Sequence, residues 1–175
     1  WVAGLVLKSN SSRRFGRGED TGHKVLIEHT SANPNGPFHV GRARNAILGD
    51  TLVRLHKLHG NQVNAEYYVD DMGKQVGILS WALDNLSAEQ VEEILASAGR
   101  EKADPRWADK ADHKSVRWYQ AANLLKDNDP DIDSQVGELV RLSEEGDEEV
   151  LDSFNRAYQP VLDGMLDTLS RLAIE

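Results

Sequence analysis

The 175-residue sequence has no cysteine, few aromatic residues and no long apolar run. The lack of cysteine excludes disulfides and cysteine-ligated metal sites. No segment approaches the roughly 20 apolar residues of a membrane span. The first residues, Trp1–Leu7, are too short for a signal peptide and carry no basic leader. His56 and His59 have helical spacing, but no third ligand accompanies them. We therefore expect a cytosolic protein with no membrane partner and no metal held by its own side chains.

A positive charge balance is also missing. The net charge is −9, from 29 acidic and 20 basic residues. Stand-alone nucleic-acid binders are usually basic, so this class is disfavoured. An enzyme whose nucleic-acid-binding domains lie elsewhere stays compatible. Abundant Asp and sparse Lys fit a salt-adapted source and an ordinary acidic helical surface equally well.

The sequence divides into three segments. Residues 1–23 form an irregular lead-in, in which Arg13, Arg14 and Arg17 are either a solvated basic loop or contacts to RNA phosphate. Residues 24–86 predict a βαβ unit. Residues 87–175 predict helices only. The fold class is α/β, with a partial Rossmann-like nucleotide-binding unit followed by a mostly helical insertion.

The βαβ unit rests on three patterns. The continuous apolar run of Lys24–Thr30 predicts a buried parallel strand, in which Glu28 is either a carboxylate with a partner or a strand residue that points to solvent. Gly41–His59 is a helix with leucines at positions 48, 52, 55 and 58. Gln62–Asp70 alternates as a second strand. Ligands bind at the carboxyl ends of such strands, where residues 30–41 and 70–75 fall.

The remaining segments predict helices separated by polar breaks. We expect helices over Met72–Leu86, from a capping box at Ser87, over His113–Lys126, over Ile132–Leu142 and from Asp147 onwards. Pro160 should bend or split the last of these. The aromatic residues are expected in the core: Trp107, Trp118, Tyr119, Phe154 and Tyr158.

The most informative stretch is Ser31–Asn45, SANPNGPFHVGRARN, between the first strand and the first helix. Its prolines and glycine tighten the turn. A helix N-terminus presents free N–H groups and a partial positive charge, which favour phosphate. His39 adds a neutral donor, Arg42 adds a fixed cation, and Gly41 lets a flat ligand approach the backbone.

This stretch resembles the signature of class I aminoacyl-tRNA synthetases, in the version of the arginyl-tRNA synthetases, and is similar to archaeal members. The resemblance continues through NAILGD at residues 45–50 and returns at EYYVDDMGKQ, residues 66–75. The family signature has a histidine where this chain has Arg42.

The resemblance implies activation of L-arginine by ATP, with Mg²⁺ carried on the ATP phosphates, and transfer to tRNA(Arg). Contacts to tRNA would come mainly from domains outside this chain. The implied catalytic residues are His39 and Arg42. The implied ATP-binding residues are Pro37, His39, Gly41 and Arg42. The implied arginine-binding residues are Glu28, Ser31, Asn33 and His39, and the pocket is bordered by Asp71 and Gln75.

The family's second nucleotide-binding half, with its lysine-rich loop, has no counterpart in the sequence. We therefore expect a piece of a longer enzyme that is inactive alone. Two alternatives stay open: a small nucleotidyltransferase of the same superfamily, and a synthetase-like module that binds without catalysis.

Overall fold

A computed structural model describes residues 1–174. In chain order its elements are α1 Val2–Ser11, β1 Lys24–Glu28, α2 Val40–His59, β2 Gln62–Glu66, α3 Lys74–Asn85, α4 Ala88–Ser97, α5 Ala111–Lys126, α6 Pro130–Glu145 and α7 Glu148–Arg171. They fall into two compact units. The strand unit comprises Trp1–Ser31 and Gly41–Tyr68, and the helical unit comprises Ala32–Val40 and Val69–Glu175.

The strand unit contains a parallel pair of strands. Lys24 lies opposite Gln62 and Glu28 lies opposite Glu66, so the predicted strand–helix–strand order is confirmed. The prediction of a buried first strand is wrong. Leu26 is 62% exposed, and β1 alternates between exposed and half-buried residues. Among residues 1–174 the sheet has only two strands, which leaves one of its faces in solvent.

Helix α2 matches the predicted helix but buries its small residues. Ala46, Gly49 and Val53 are buried, whereas the four regularly spaced leucines are each at least 43% exposed. Gly49 explains the choice of face, because a Cβ atom there would lie 2.0 Å from the Cβ of His29. Close approach of α2 to the end of β1 therefore requires glycine at this position.

The lead-in is not irregular throughout, as the sequence had suggested. It contains α1, which has no buried residue, and only residues 12–23 lack helix or strand. The helix forms because Val2–Ser11 holds no proline and its one glycine is offset by good helix formers.

The helical unit is built around α3. Residues 76–82 of this helix are all buried, and α3 packs against α5, α6 and α7. A helix that is apolar on every side belongs in a core. The structure therefore groups α3 with the helical unit, whereas the sequence had placed residues 74–85 in the βαβ segment.

Several helix ends follow from their caps. Ser87 and Gln90 form the expected capping box of α4, and Asp147 accepts a hydrogen bond from the Val150 amide at the start of α7. Asp129 caps α6, with Pro130 at the first turn. Pro160 does not split α7, which continues as one helix to Arg171.

The aromatic residues do not all lie in the core. Phe154 is 1% exposed, and Trp118 and Tyr119 pack against a buried cluster. Trp107 is 40% exposed and stacks on His113, so the expectation that it is a core residue is wrong. It lies in the polar segment before α5, where few apolar neighbours are available.

Candidate functional site

The carboxyl end of β1 is a conformationally special turn. Thr30 and Ser31 both have positive φ angles, 69° and 37°, although neither is glycine. Such backbone is costly and concentrates at functional sites. Two contacts hold it: the Asn45 amide donates to the Thr30 carbonyl at 3.2 Å, and the Thr30 hydroxyl lies 2.9 Å from Nδ1 of His29.

Glu28 and Ser31 lie on either side of this turn and contact each other. The Ser31 hydroxyl donates to the Glu28 carboxylate at 2.7 Å and accepts from the Tyr68 amide at 3.2 Å. Glu28 is exposed and not enclosed in a buried strand, because it lies on the solvent-facing side of β1 with Lys24 and Leu26. Its carboxylate is therefore solvated, oriented by one hydroxyl and accessible to a cation.

The signature turn, residues 32–40, packs within the helical unit. Pro34 is fully buried, and Ala32 and Asn35 are 8% and 9% exposed. Gly36 lies so close to α5 that an added Cβ would meet the Val116 side chain at 2.7 Å. The turn is thereby held rigidly against α5.

Two amide hydrogen bonds join the signature turn to residues 70–75. Asn33 donates to the Asp70 carboxylate at 3.2 Å, and Asn35 donates to the Gln75 side chain at 2.6 Å. Both segments belong to the helical unit. The structure thus brings together two stretches about 40 residues apart that had been singled out separately in the sequence.

Residues 70–75, called the second segment below, contain two carboxylates that are held by different neighbours. A Cβ at Gly73 would lie 2.6 Å from the Asp70 carboxylate, so glycine is needed beside it. Asp71 contacts Tyr158 of α7. Burial raises the pKa of Tyr158, and the neighbouring Asp71 carboxylate raises this pKa further. The hydroxyl therefore stays protonated and can donate to Asp71 near neutral pH.

Of the residues assigned to ATP, Pro37 and His39 lie in the helical unit, and Gly41 and Arg42 lie at the start of α2 in the strand unit. Pro37 is half-buried, His39 and Gly41 are exposed, and Arg42 is half-buried in the first turn of α2. The positive end of the helix dipole lies at this first turn of α2. No acidic residue lies in that first turn. This end of α2 can accept an anionic group.

The chain is similar to known proteins over most of its length. Residues 6–169 match the family described as tRNA synthetases class I (R), catalytic domain. The chain belongs to this family.

Two archaeal relatives of this class I synthetase chain are arginine–tRNA ligases. The chain is 40% identical over 152 residues to an arginine–tRNA ligase of Methanoregula boonei, covering 87% of this chain and 25% of that protein. It is 35% identical over 170 residues to an arginine–tRNA ligase of Methanospirillum hungatei, covering 97% of this chain and 28% of that protein. The resemblance to archaeal arginyl-tRNA synthetases is confirmed.

A solved structure of an arginyl-tRNA synthetase has a similar fold. The Thermus thermophilus arginyl-tRNA synthetase superposes with a TM-score of 0.59 at 26% identity, over 100% of this chain and 26% of that chain. This synthetase chain therefore spans about a quarter of the length of the relatives it matches.

Sequence reasoning missed three positioning residues of the synthetase chain: Asn35, Asn45 and Tyr158. Asn35 and Asn45 lie inside the quoted signature, so their polarity beside a turn was a usable signal. Tyr158 had no such signal, because its position on α7 gives it the pattern of a core residue.

No helix among residues 1–174 is long and apolar enough to cross a membrane.

Proposed function

We propose that the chain is part of the catalytic domain of an arginine–tRNA ligase, which converts L-arginine and ATP to arginyl-adenylate and then charges tRNA(Arg). One observation carries the proposal. The signature turn and the second segment are hydrogen-bonded to each other, through Asn33–Asp70 and Asn35–Gln75, in a chain whose curated relatives are named arginine–tRNA ligase.

In the proposed reaction an arginine carboxylate oxygen attacks the α-phosphorus of ATP, the bond to the bridging oxygen breaks, and pyrophosphate leaves. Positioning and charge stabilisation contribute most of such catalysis. His39 would donate to the phosphates, and Arg42 would bind them as a forked donor. Gly41 would underlie the adenine, and Pro37 would shape the turn that receives ATP. Mg²⁺ would enter bound to the ATP phosphates.

Arginine needs a carboxylate for its cationic groups and fixed polar partners. Glu28, oriented by Ser31, would supply the carboxylate, and Asn33 and His39 would supply polar contacts. Asp71 and Gln75 would border the pocket, each fixed by a partner, Tyr158 and Asn35. In the second step a hydroxyl of the terminal ribose of tRNA attacks the arginyl carbonyl carbon, the bond from this carbon to the phosphate oxygen breaks, and AMP and a proton leave as the ester forms. We assign the ligase to the cytosol, in keeping with the family.

Charging of tRNA by the full-length parent protein tests this proposal, with each of the twenty amino acids in turn. We expect arginine to be charged in preference to all others. Preference for another amino acid would refute the assignment. Nucleotide transfer to a small acceptor without tRNA would favour a nucleotidyltransferase, and arginine or ATP binding without turnover would favour a binding module.

A further inference from the structure

The two units carry opposite charge. The strand unit holds nine Lys and Arg residues against five Asp and Glu, whereas the helical unit holds eleven against twenty-four. The overall value of −9 therefore conceals a net positive strand unit. Charge asymmetry of this kind indicates a surface for a polyanion.

The fold brings some of these positively charged residues close together. The lead-in segment is fastened to the C-terminal end of α2: the Gly18 amide donates to the Leu58 carbonyl at 2.8 Å, and the Thr21 hydroxyl donates to the Asn61 side chain at 2.6 Å. A Cβ at Gly18 would lie 2.1 Å from the His59 carbonyl oxygen. The segment that carries Arg13, Arg14 and Arg17 is thus fixed beside α2.

A cavity of about 630 Å³ lies at this junction. It is lined by Arg17, Arg54, Lys57, Leu58 and Asn61, with no carboxylate among these residues. Arg54 is bound to Asp50 at 2.6 Å, yet its side chain is 61% exposed.

Stabilisation of α2 accounts for only part of this cluster. Cations in the last turn of a helix interact favourably with its dipole, which explains Lys57 and the neighbouring histidines, and Arg54 forms an i,i+4 ion pair with Asp50. Arg17 belongs to a different segment, so α2 does not explain its position at the cavity. Cations from separate segments converge on one cavity, which is typical of an anion site.

We propose that this basic cavity, formed by Arg17, Arg54 and Lys57, binds the sugar-phosphate backbone of the tRNA substrate. The proposal rests on the proposed function, since tRNA is the polyanion that an arginine–tRNA ligase must hold. Three cations with no aromatic lining fit phosphate better than a base, so the contact contributes affinity and position but not sequence specificity.

The test is the salt dependence of tRNA binding by the full-length parent, measured by fluorescence anisotropy with a labelled tRNA(Arg) transcript and with unfractionated tRNA. The variant is the double substitution Arg17→Gln and Lys57→Gln. Each lost phosphate contact lowers the slope of log affinity against log salt by about 1. We expect a slope shallower by about 2 and affinity at least tenfold lower near 0.1 M salt.

The matched control is Arg141→Gln. Arg141 lies on α6 between Glu138 and Glu145, in the acidic helical unit, so its loss changes the net charge without removing a phosphate site. The control should keep the parental slope. An unchanged slope in the double variant overturns the proposal, whether or not the melting temperature also changes.

Charging assays on the same proteins separate the two proposals. Arginine charging with an unaltered salt slope keeps the ligase assignment and removes the RNA surface. A shallower slope in a parent that charges no arginine keeps the RNA surface and removes the ligase assignment.

Discussion

Arg42 replaces the second histidine of the family signature, and it lies half-buried in the first turn of α2. A guanidinium stays charged throughout the usable pH range, whereas histidine loses its charge near neutrality. In the full-length parent we expect Arg42→Ala to lower adenylate formation by roughly a hundredfold, the usual effect of losing one transition-state donor. Steady-state kinetics should show little change in the KM for arginine.

Arg42→His is the informative companion variant. It should recover part of the rate and add a pH dependence near the usual imidazole pKa of about 6.5. If Arg42→Ala retains nearly parental turnover, the phosphate role belongs to His39 and the backbone amides.

Substitution of Glu28 tests its proposed role in binding arginine. Removing its charge by Glu28→Gln should raise the dissociation constant for arginine roughly tenfold or more, because a hydrogen bond to a charged group contributes about 1.5–3 kcal/mol. ATP binding should change little. Calorimetric titration of the parent with each ligand measures both. Glu144→Gln removes the same charge from the exposed surface of α6 and should leave both constants unaltered. Equal effects of Glu28→Gln on the two ligands would exclude Glu28 from the pocket.

At this scale the sequence proposes which residues form the site, and their roles stay predictions, whereas their environment is visible only in the structure. Positions 28, 31 and 33 were singled out by residue type and motif. A solvent-facing Glu28 was one of the two interpretations that the sequence left open, whereas the positive φ angles of Thr30 and Ser31 were not predictable. They depend on where the sheet ends and on contacts from Asn45 and Tyr68, which are distant in sequence.

Helix α2 and β1 approach closely because position 49 is glycine. Gly49→Ala would place a methyl group 2.0 Å from the His29 Cβ, so backbone or side chain must move. We expect the parent to lose about 1–3 kcal/mol of unfolding free energy, as in other overpacked sites. Urea unfolding checks this.

Gly137→Ala on α6 is the matched control. No atom lies within 4 Å of an added Cβ there, so the same substitution should stabilise by about 0.5–1 kcal/mol, the helix preference for alanine. If both variants are equally stable, the contact between α2 and His29 is not tight.

An ion pair joins α4 to α5. The Arg117 guanidinium donates to both Glu92 oxygens, at 2.5 and 2.7 Å, and these hydrogen bonds lower the pKa of Glu92 below its usual 4.5. A lowered folded-state pKa stabilises the fold above the unfolded value, and this contribution disappears as pH falls through the folded value. Glu92→Gln should therefore cost about 1 kcal/mol or less at pH 7, since Glu92 is partly exposed. Unfolding free energies measured between pH 7 and pH 3 should converge, and a constant difference would contradict the assignment.

Helix ends were predictable where a short side chain caps them, as at Ser87 and Asp147. The continuity of α7 through Pro160 was not predictable from the sequence. The local sequence shows that proline removes a helical hydrogen bond, but it does not show the packing that compensates for this loss. Met165, Val161 and Ala157 are buried around the proline and hold both halves in place.

For the whole molecule, the chain spans about a quarter of the length of its relatives. The 175-residue chain alone should therefore support arginine-dependent pyrophosphate exchange far more slowly than the full-length parent, because catalysis of this kind depends on an assembled set of positioning groups. Exchange rates measured for both proteins decide the matter. Near-equal rates would show that the residues needed for activation all lie in this chain.

Sequence patterns do not show which of the two units contains α3. The sequence places α3 beside β2, its neighbour along the chain. The structure groups α3 with α5, α6 and α7, because its apolar surface on every side needs helical partners. Such a choice depends on long-range packing, which local periodicity does not describe.

The uninterrupted course of α2 sets a molecular distance. Arg42 lies near its first residue and Lys57 near its last, and at about 1.5 Å per residue the two are roughly 22 Å apart. The proposed ATP-binding residues and the proposed RNA-binding cavity therefore lie at opposite ends of one helix. A single triphosphate group is too short to contact both ends, so ATP at Arg42 and the tRNA backbone at Lys57 would bind at the same time without competing.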